Sequence, residues 1–179
     1  MAETQGGTAA PGRKKWVFPR RGSADEHKLS IVSSDRDPHS LAVPFRGHIS
    51  GGMCVGKKVV LVGVVDHHPD RFYVALTCGR GLGGQPPLDV ALELCVRFRD
   101  QQILRRACES GSWGDVDRTV PFFPFIKGQP FKMEIHCEHG RFRVFLDGQK
   151  LFDFSHRLTS LDQIDTMWIK GSLTISKLA

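Results

Sequence analysis

The sequence predicts an all-β fold, an antiparallel two-sheet sandwich, and three observations carry that expectation. Short runs rich in apolar and β-branched residues recur along the chain, separated by turn residues. Within most runs apolar and polar side chains alternate, which marks antiparallel sheets with one solvated face. No run carries the 3.6-residue period of a long helix.

The elements follow in order. Residues 1–40 are poor in apolar side chains, rich in Gly, Ser and Asp, and without period, so they are expected to form a disordered tail. Residues 41–179 are expected to form one domain. Lys57 to Val65 is dense in β-branched residues, and Arg71 to Thr77 is a second run. In Val90 to Phe98, the residues Val90, Leu92, Leu94, Val96 and Phe98 should face one way, and Ala91, Glu93, Cys95 and Arg97 the other. Phe131, Met133, Ile135 and Cys137 alternate with Lys132, Glu134 and His136. Phe142, Val144 and Leu146 alternate with Arg141, Arg143 and Phe145. Asp147-Gly148 then turns the chain into Gln149 to Phe154 as a hairpin. Thr166 to Ile169 and Leu173 to Ile175 close the fold, and only Leu158 to Ile164 hints at a helical turn.

Composition bounds the function. The 179 residues carry 25 Lys+Arg against 19 Asp+Glu, a formal charge of +6, which is mild and does not by itself indicate nucleic acid. No stretch reaches the roughly 18 apolar residues of a membrane helix. Met1 to Gly12 is polar, so no secretory signal is expected there, and cytoplasmic and nuclear locations are the expectation. Cys54, Cys78, Cys95, Cys108 and Cys137 are odd in number and form no C-x-x-C pair; reduced thiols are the plain expectation. The chain contains no asparagine, which excludes an N-x-Ser/Thr glycosylation acceptor.

Several motifs invite a functional reading. Arg13 to Arg21 holds five basic residues around Trp16 and Phe18, which fits a localisation signal or an anion-binding patch. Short basic runs are common, however, and a solvated tail is the plainer explanation. Gly79-Arg80-Gly81-Leu82-Gly83-Gly84 matches G-x-G-x-x-G, but Gln85-Pro86-Pro87 blocks the helix that a dinucleotide site requires. It is expected to be a loop. His67 and His68 should point to opposite faces, and His136 with His139 fits no zinc spacing. No nucleophile motif is present. No enzyme, cofactor or metal is expected.

From Asp89 onward the chain resembles a galectin carbohydrate-recognition domain. The anchors are Phe123-Pro124-Phe125, Gly128-Gln129-Pro130-Phe131-Lys132, Arg141-Phe142-Arg143-Val144, Asp147-Gly148, His156-Arg157-Leu158 and Ile164-Asp165. Val43-Pro44-Phe45 and Gly51-Gly52-Met53 resemble the opening strand of that family, so the likeness spans about residues 41–179. Gly56-Lys57-Lys58-Val59 and Leu151-Phe152-Asp153-Phe154 are most similar to the galectin-related branch, whose recognition domain is degenerate. The resemblance implies a jelly-roll sandwich with a β-galactoside groove on one sheet. Its signature is H-x-N-P-R on one strand, an Asn on the next, then W-G-x-E-x-R.

Carried over position by position, that signature is largely lost. Glu93 stands for the His, Cys95 for the first Asn and Val96 for the Pro, while Arg97 matches. Arg106 stands for the second Asn. Trp113 matches the Trp; counting forward from it, Val116 replaces the Glu and Arg118 is kept. Counting back from Phe123-Pro124-Phe125 gives Asp117 and Thr119 instead. Three lost hydrogen bonds at about 1 kcal/mol each amount to roughly a 100-fold loss of affinity. Glu93, Arg97 and Arg106 could instead form a salt-bridged cluster filling the groove. The expectation is therefore a galectin-fold monomer that has lost lactose binding and acts through an unidentified protein partner. A lectin of altered specificity, drawing an anionic sugar to Arg106, is the alternative. Binding of nucleic acid or an acidic surface by the basic tail is a third reading, and nucleic acid is the least expected partner. The resemblance also leaves non-classical export open.

Overall fold

A computed structural model describes residues 29–30, 40–79 and 89–179. The basic run Arg13 to Arg21 and most of the Gly79–Gly84 motif lie outside the described residues.

Twelve strands form two antiparallel sheets among these residues. They are β1 (Leu29–Ser30), β2 (Phe45–Ile49), β3 (Lys58–Val65), β4 (Arg71–Thr77), β5 (Val90–Arg97), β6 (Gln102–Glu109), β7 (Ser112–Trp113), β8 (Pro130–Cys137), β9 (Arg141–Leu146), β10 (Gln149–Ser155), β11 (Thr166–Gly171) and β12 (Leu173–Leu178). One sheet has the order β1-β2-β11-β4-β5-β6-β7 and the other β10-β9-β8-β3-β12. The expected helical turn is a short 3-10 turn at Leu161–Gln163. No helix of the described residues is long and apolar enough to cross a membrane.

The inward faces of the sheets interdigitate. Leu92, Leu94 and Val96 from one sheet meet Phe131, Met133, Ile135, Phe142, Val144 and Leu146 from the other, all buried. Phe72 stacks on Phe131 across the two sheets, with ring centroids 5.6 Å apart and planes 11° apart. Phe125 meets both rings edge-on, at 5.4 and 5.3 Å. Offset and edge-on aromatic pairs of this kind hold more than their buried area alone.

Three differences from the expected strands have physical causes. Ala91, assigned to the solvated face, lies in the core, because the register slips there by one residue against both neighbouring strands. Such a bulge inverts the alternation on one side of itself. Strand β6 escaped the alternation rule because it is reversed in chemistry: Arg105 faces inward and is 4% exposed, while Leu104 faces out. Leu29–Ser30, within the stretch assigned to the tail, pairs with β2 at Ile49 and His48. An edge strand accepts such a neighbour through backbone groups, whatever its side chains.

The turn before β3 is held by close backbone packing. A Cβ on Gly52 (φ +72°) would sit 2.0 Å from the Asp162 carbonyl oxygen. Gly52→Ala is expected to cost about 2 kcal/mol or more, combining strain with backbone displacement. Gly51→Ala (φ +74°), with open space around it, should lose only the left-handed penalty of about 1–2 kcal/mol. Urea midpoints of the two variants test this ordering.

The thiols also divide by environment. Cys54 is exposed, whereas Cys95, Cys108 and Cys137 are buried. Burial pushes Cys78 and Cys137 up to about 11, and raises Cys95 and Cys108 as well. Since the thiolate is the reacting form, one fast thiol per chain is expected with a disulfide reagent at pH ~8. The fast phase should vanish in Cys54→Ser.

Candidate functional site

The site lies on the outer face of the seven-stranded sheet, across β4, β5, β6 and β7. Alternation puts Glu93, Cys95 and Arg97 on that face of β5, and Gln102, Leu104 and Arg106 on that face of β6. Register then sets the neighbours. Glu93 is opposite Arg106, Cys95 opposite Leu104 and Tyr73, and Arg97 opposite Gln102 and Arg71.

These residues satisfy one another. Arg106 Nε donates to Glu93 Oε1 at 2.8 Å. The Arg106 guanidinium carbon lies 3.8 Å from the ring centroid of Trp113, so the cation covers an indole that is 43% exposed overall. Each contact holds about 0.5–1 kcal/mol at such partly exposed positions. Arg97 forks onto Asp100, with Nε to Oδ1 at 2.9 Å and Nη2 to Oδ2 at 2.8 Å, and Nη2 also donates to Gln102 Oε1 at 3.1 Å. The same Gln102 oxygen accepts from Arg118 Nη1 at 3.3 Å. The hydrogen bond to Asp100 raises the Arg97 guanidinium further above its usual range and holds the Asp100 carboxyl below the usual carboxylate range. Cys95 is 6% exposed; burial pushes its thiol up, against a hydrogen bond with Tyr73. The expected cluster of Glu93, Arg97 and Arg106 is thus divided: Glu93 and Arg106 pair, while Arg97 turns to Asp100 and Gln102.

The segment after Trp113 contains an extra residue. Trp113 pairs with Cys108, and Asp117 bridges to Arg105, four steps along one strand against three along its partner. Trp113 therefore shares the outer face with Arg106, while Asp117 falls on the inner side with Arg105. Arg118 returns to the outer face beside Gln102. Val116, 38% exposed, stands in the irregular stretch between them. Asp117 reaches Arg157 at 3.7 Å, and Thr119 lines a cleft away from the groove.

Sequence reasoning named the replaced positions but missed Asp100 and Gln102, which hold Arg97 and Arg118, and Tyr73, the cross-strand neighbour of Cys95. Cross-strand register places Gln102 and Tyr73, whereas Asp100 reaches Arg97 through the turn that follows β5, three residues along the chain. Arg46 over Trp168 (4.4 Å) and Lys170 over Tyr73 (5.1 Å) add cations to the same face. Among the described residues no three His, Cys, Asp or Glu side chains come together as a metal-ion set. His136 instead meets Glu134 at 2.8 Å.

Comparison with known proteins adds a family. The galactoside-binding lectin model matches residues 44–179. Galectin-4 of Sus scrofa is 35% identical over 175 residues, covering 96% of this chain and 52% of that protein. Galectin-4 of Homo sapiens is 31% identical over 160 residues (89% and 48%), and that of Bos taurus 34% over 134 residues (75% and 39%). The chain thus spans about half or less of the length of these relatives.

Proposed function

This chain belongs to the galactoside-binding lectin family, and from that premise we propose that it has lost β-galactoside binding and acts, without catalysis, through contacts with a protein partner. The observation that carries this is Arg106. It occupies the place of a groove Asn, pairs with Glu93 at 2.8 Å and covers Trp113 at 3.8 Å. In the family this Trp is the face on which galactose stacks, so a sugar must first displace the cation. The donors that should grip hydroxyls are engaged too: Arg97 by Asp100, and Arg118 by Gln102. Breaking an ion pair and a cation–π contact while forming fewer hydrogen bonds leaves little net affinity for a small ligand. The test is chromatography on immobilised lactose, where the chain should elute in the void. Retention that free lactose competes away would overturn the proposal.

A second reading has one observation in its favour. Arg46, Arg71, Arg97, Arg118 and Lys170 share this outer face, a charge pattern suited to an anionic glycan. A glycan array that includes sulfated and sialylated members decides it, since an array without hits removes this alternative.

A further inference from the structure

We infer that the opposite side of β6 carries a second site, a cleft centred on Arg105 that takes a small organic anion, a carboxylate or phosphate group on an apolar body. The observation is a buried cation without an adequate partner. Arg105 occupies a core-facing position between Ile103 and Ala107 and is 4% exposed. Its Nη1 donates to the Ile103 carbonyl at 3.1 Å, its guanidinium carbon lies 4.3 Å from the Phe152 ring centroid, and its Nε has no acceptor. Among the described residues no carboxylate hydrogen-bonds it; Asp117 acts on it only through space. Burial accordingly pushes this guanidinium below its ordinary range, which Asp117 only partly opposes. A buried cation that lacks a counter-ion is costly to hold, so an anion delivered to it is favoured on binding.

There is room for one. Arg105 opens on a cleft of about 620 Å³ where β6 and residues 119–121 meet β10, an edge strand of the other sheet. Thr119 and Lys150 add donors, and Val120, Pro121, Leu151 and Phe152 supply apolar walls. The acid in the lining, Asp153, is already shared among Lys150 at 2.9 Å, Arg143 at 3.2 Å and Arg141 at 3.5 Å. The cleft therefore has a positive end and a greasy body, matching an anion attached to an apolar group rather than a bare ion. Adjacent residues of a strand point to opposite faces, so this site is separate from the groove that holds Arg106.

The test is a heteronuclear NMR titration of the full chain with phenyl phosphate, with inorganic phosphate, and with sodium chloride at matched ionic strength. Expected are saturable shifts at Arg105, Thr119, Val120 and Lys150 to Phe152, with phenyl phosphate roughly tenfold tighter than inorganic phosphate. Arg105→Met, which keeps a long side chain over Phe152, should abolish saturation. Lys150→Gln, at a half-exposed rim position, should weaken it several-fold and guards against a folding defect in the first variant. Shifts that chloride reproduces would overturn the inference. So would binding that survives in both variants, or shifts confined to Trp113 and Arg118.

Discussion

The triple substitution Glu93→His, Cys95→Asn and Arg106→Asn is expected to turn a chain that runs through immobilised lactose into one that is retained and released by free lactose. The geometry explains why three changes suffice. Glu93 and Cys95 lie two apart on β5 and project from one face, and Arg106 stands directly opposite Glu93 on β6. The introduced imidazole and two amides would thus converge on one patch. Arg106→Asn also removes the cation now lying 3.8 Å from Trp113, freeing the indole for a ring to stack on. An acceptor-only carboxylate, a weak thiol and a donor-only guanidinium become groups with usable donors and acceptors. Three restored hydrogen bonds at about 1 kcal/mol each give roughly a 100-fold gain, enough to move a column profile from void to retained. The amide that replaces the Cys95 thiol would be buried beside Tyr73, its cross-strand neighbour on β4. Circular dichroism should show the strand signal unchanged. A folded triple variant that still runs through would remove this account of the loss.

Phe72→Ala should give the largest stability effect. Phe72 is fully buried and touches Phe131 of the opposite sheet, Phe125 of the connecting segment and Phe98 beyond β5. Its removal leaves a cavity between the sheets that their hydrogen-bonded backbones cannot close. Phe→Ala in such a core costs about 3–5 kcal/mol, against a total stability of about 5–15 kcal/mol for a domain. The expected fall in Tm is roughly 10 °C, read by calorimetry. Phe123→Ala, at the partly buried edge of the same cluster, should fall by less. Equal losses would mean that Phe72 does not bridge the sheets as described.

Much of this fold is legible in the residues because alternation is a local property. Strands β8 and β9 follow from their own side chains, since each buries every second residue without interruption, and β4 does so up to Leu76. β6 is not legible that way: its inward Arg105 and outward Leu104 contradict the chemistry of their faces. The bulge at Ala91 is equally silent, because one extra residue changes register without changing composition. The groove positions Glu93, Cys95 and Arg106 could be named from the family pattern, but their mutual contacts could not. The same holds for residues 114–118, where the bridge from Asp117 to Arg105 places one extra residue against β6.

The chain by itself determined two things: an all-β sandwich, and a groove without asparagine. The first follows from residue identity and spacing, the second from the absence of the residue set against the groove that the family resemblance implies, since no alignment can supply a side chain that the sequence lacks. The tertiary structure decided what the replacements do. Arg106 meets Glu93 across thirteen positions of chain only because the β5–β6 register sets them side by side. Arg105 is a buried and poorly partnered cation only because β10, from the other sheet, covers it with Phe152. Ion pairing and burial are properties of neighbours in space, and that neighbourhood exists once the two sheets have packed.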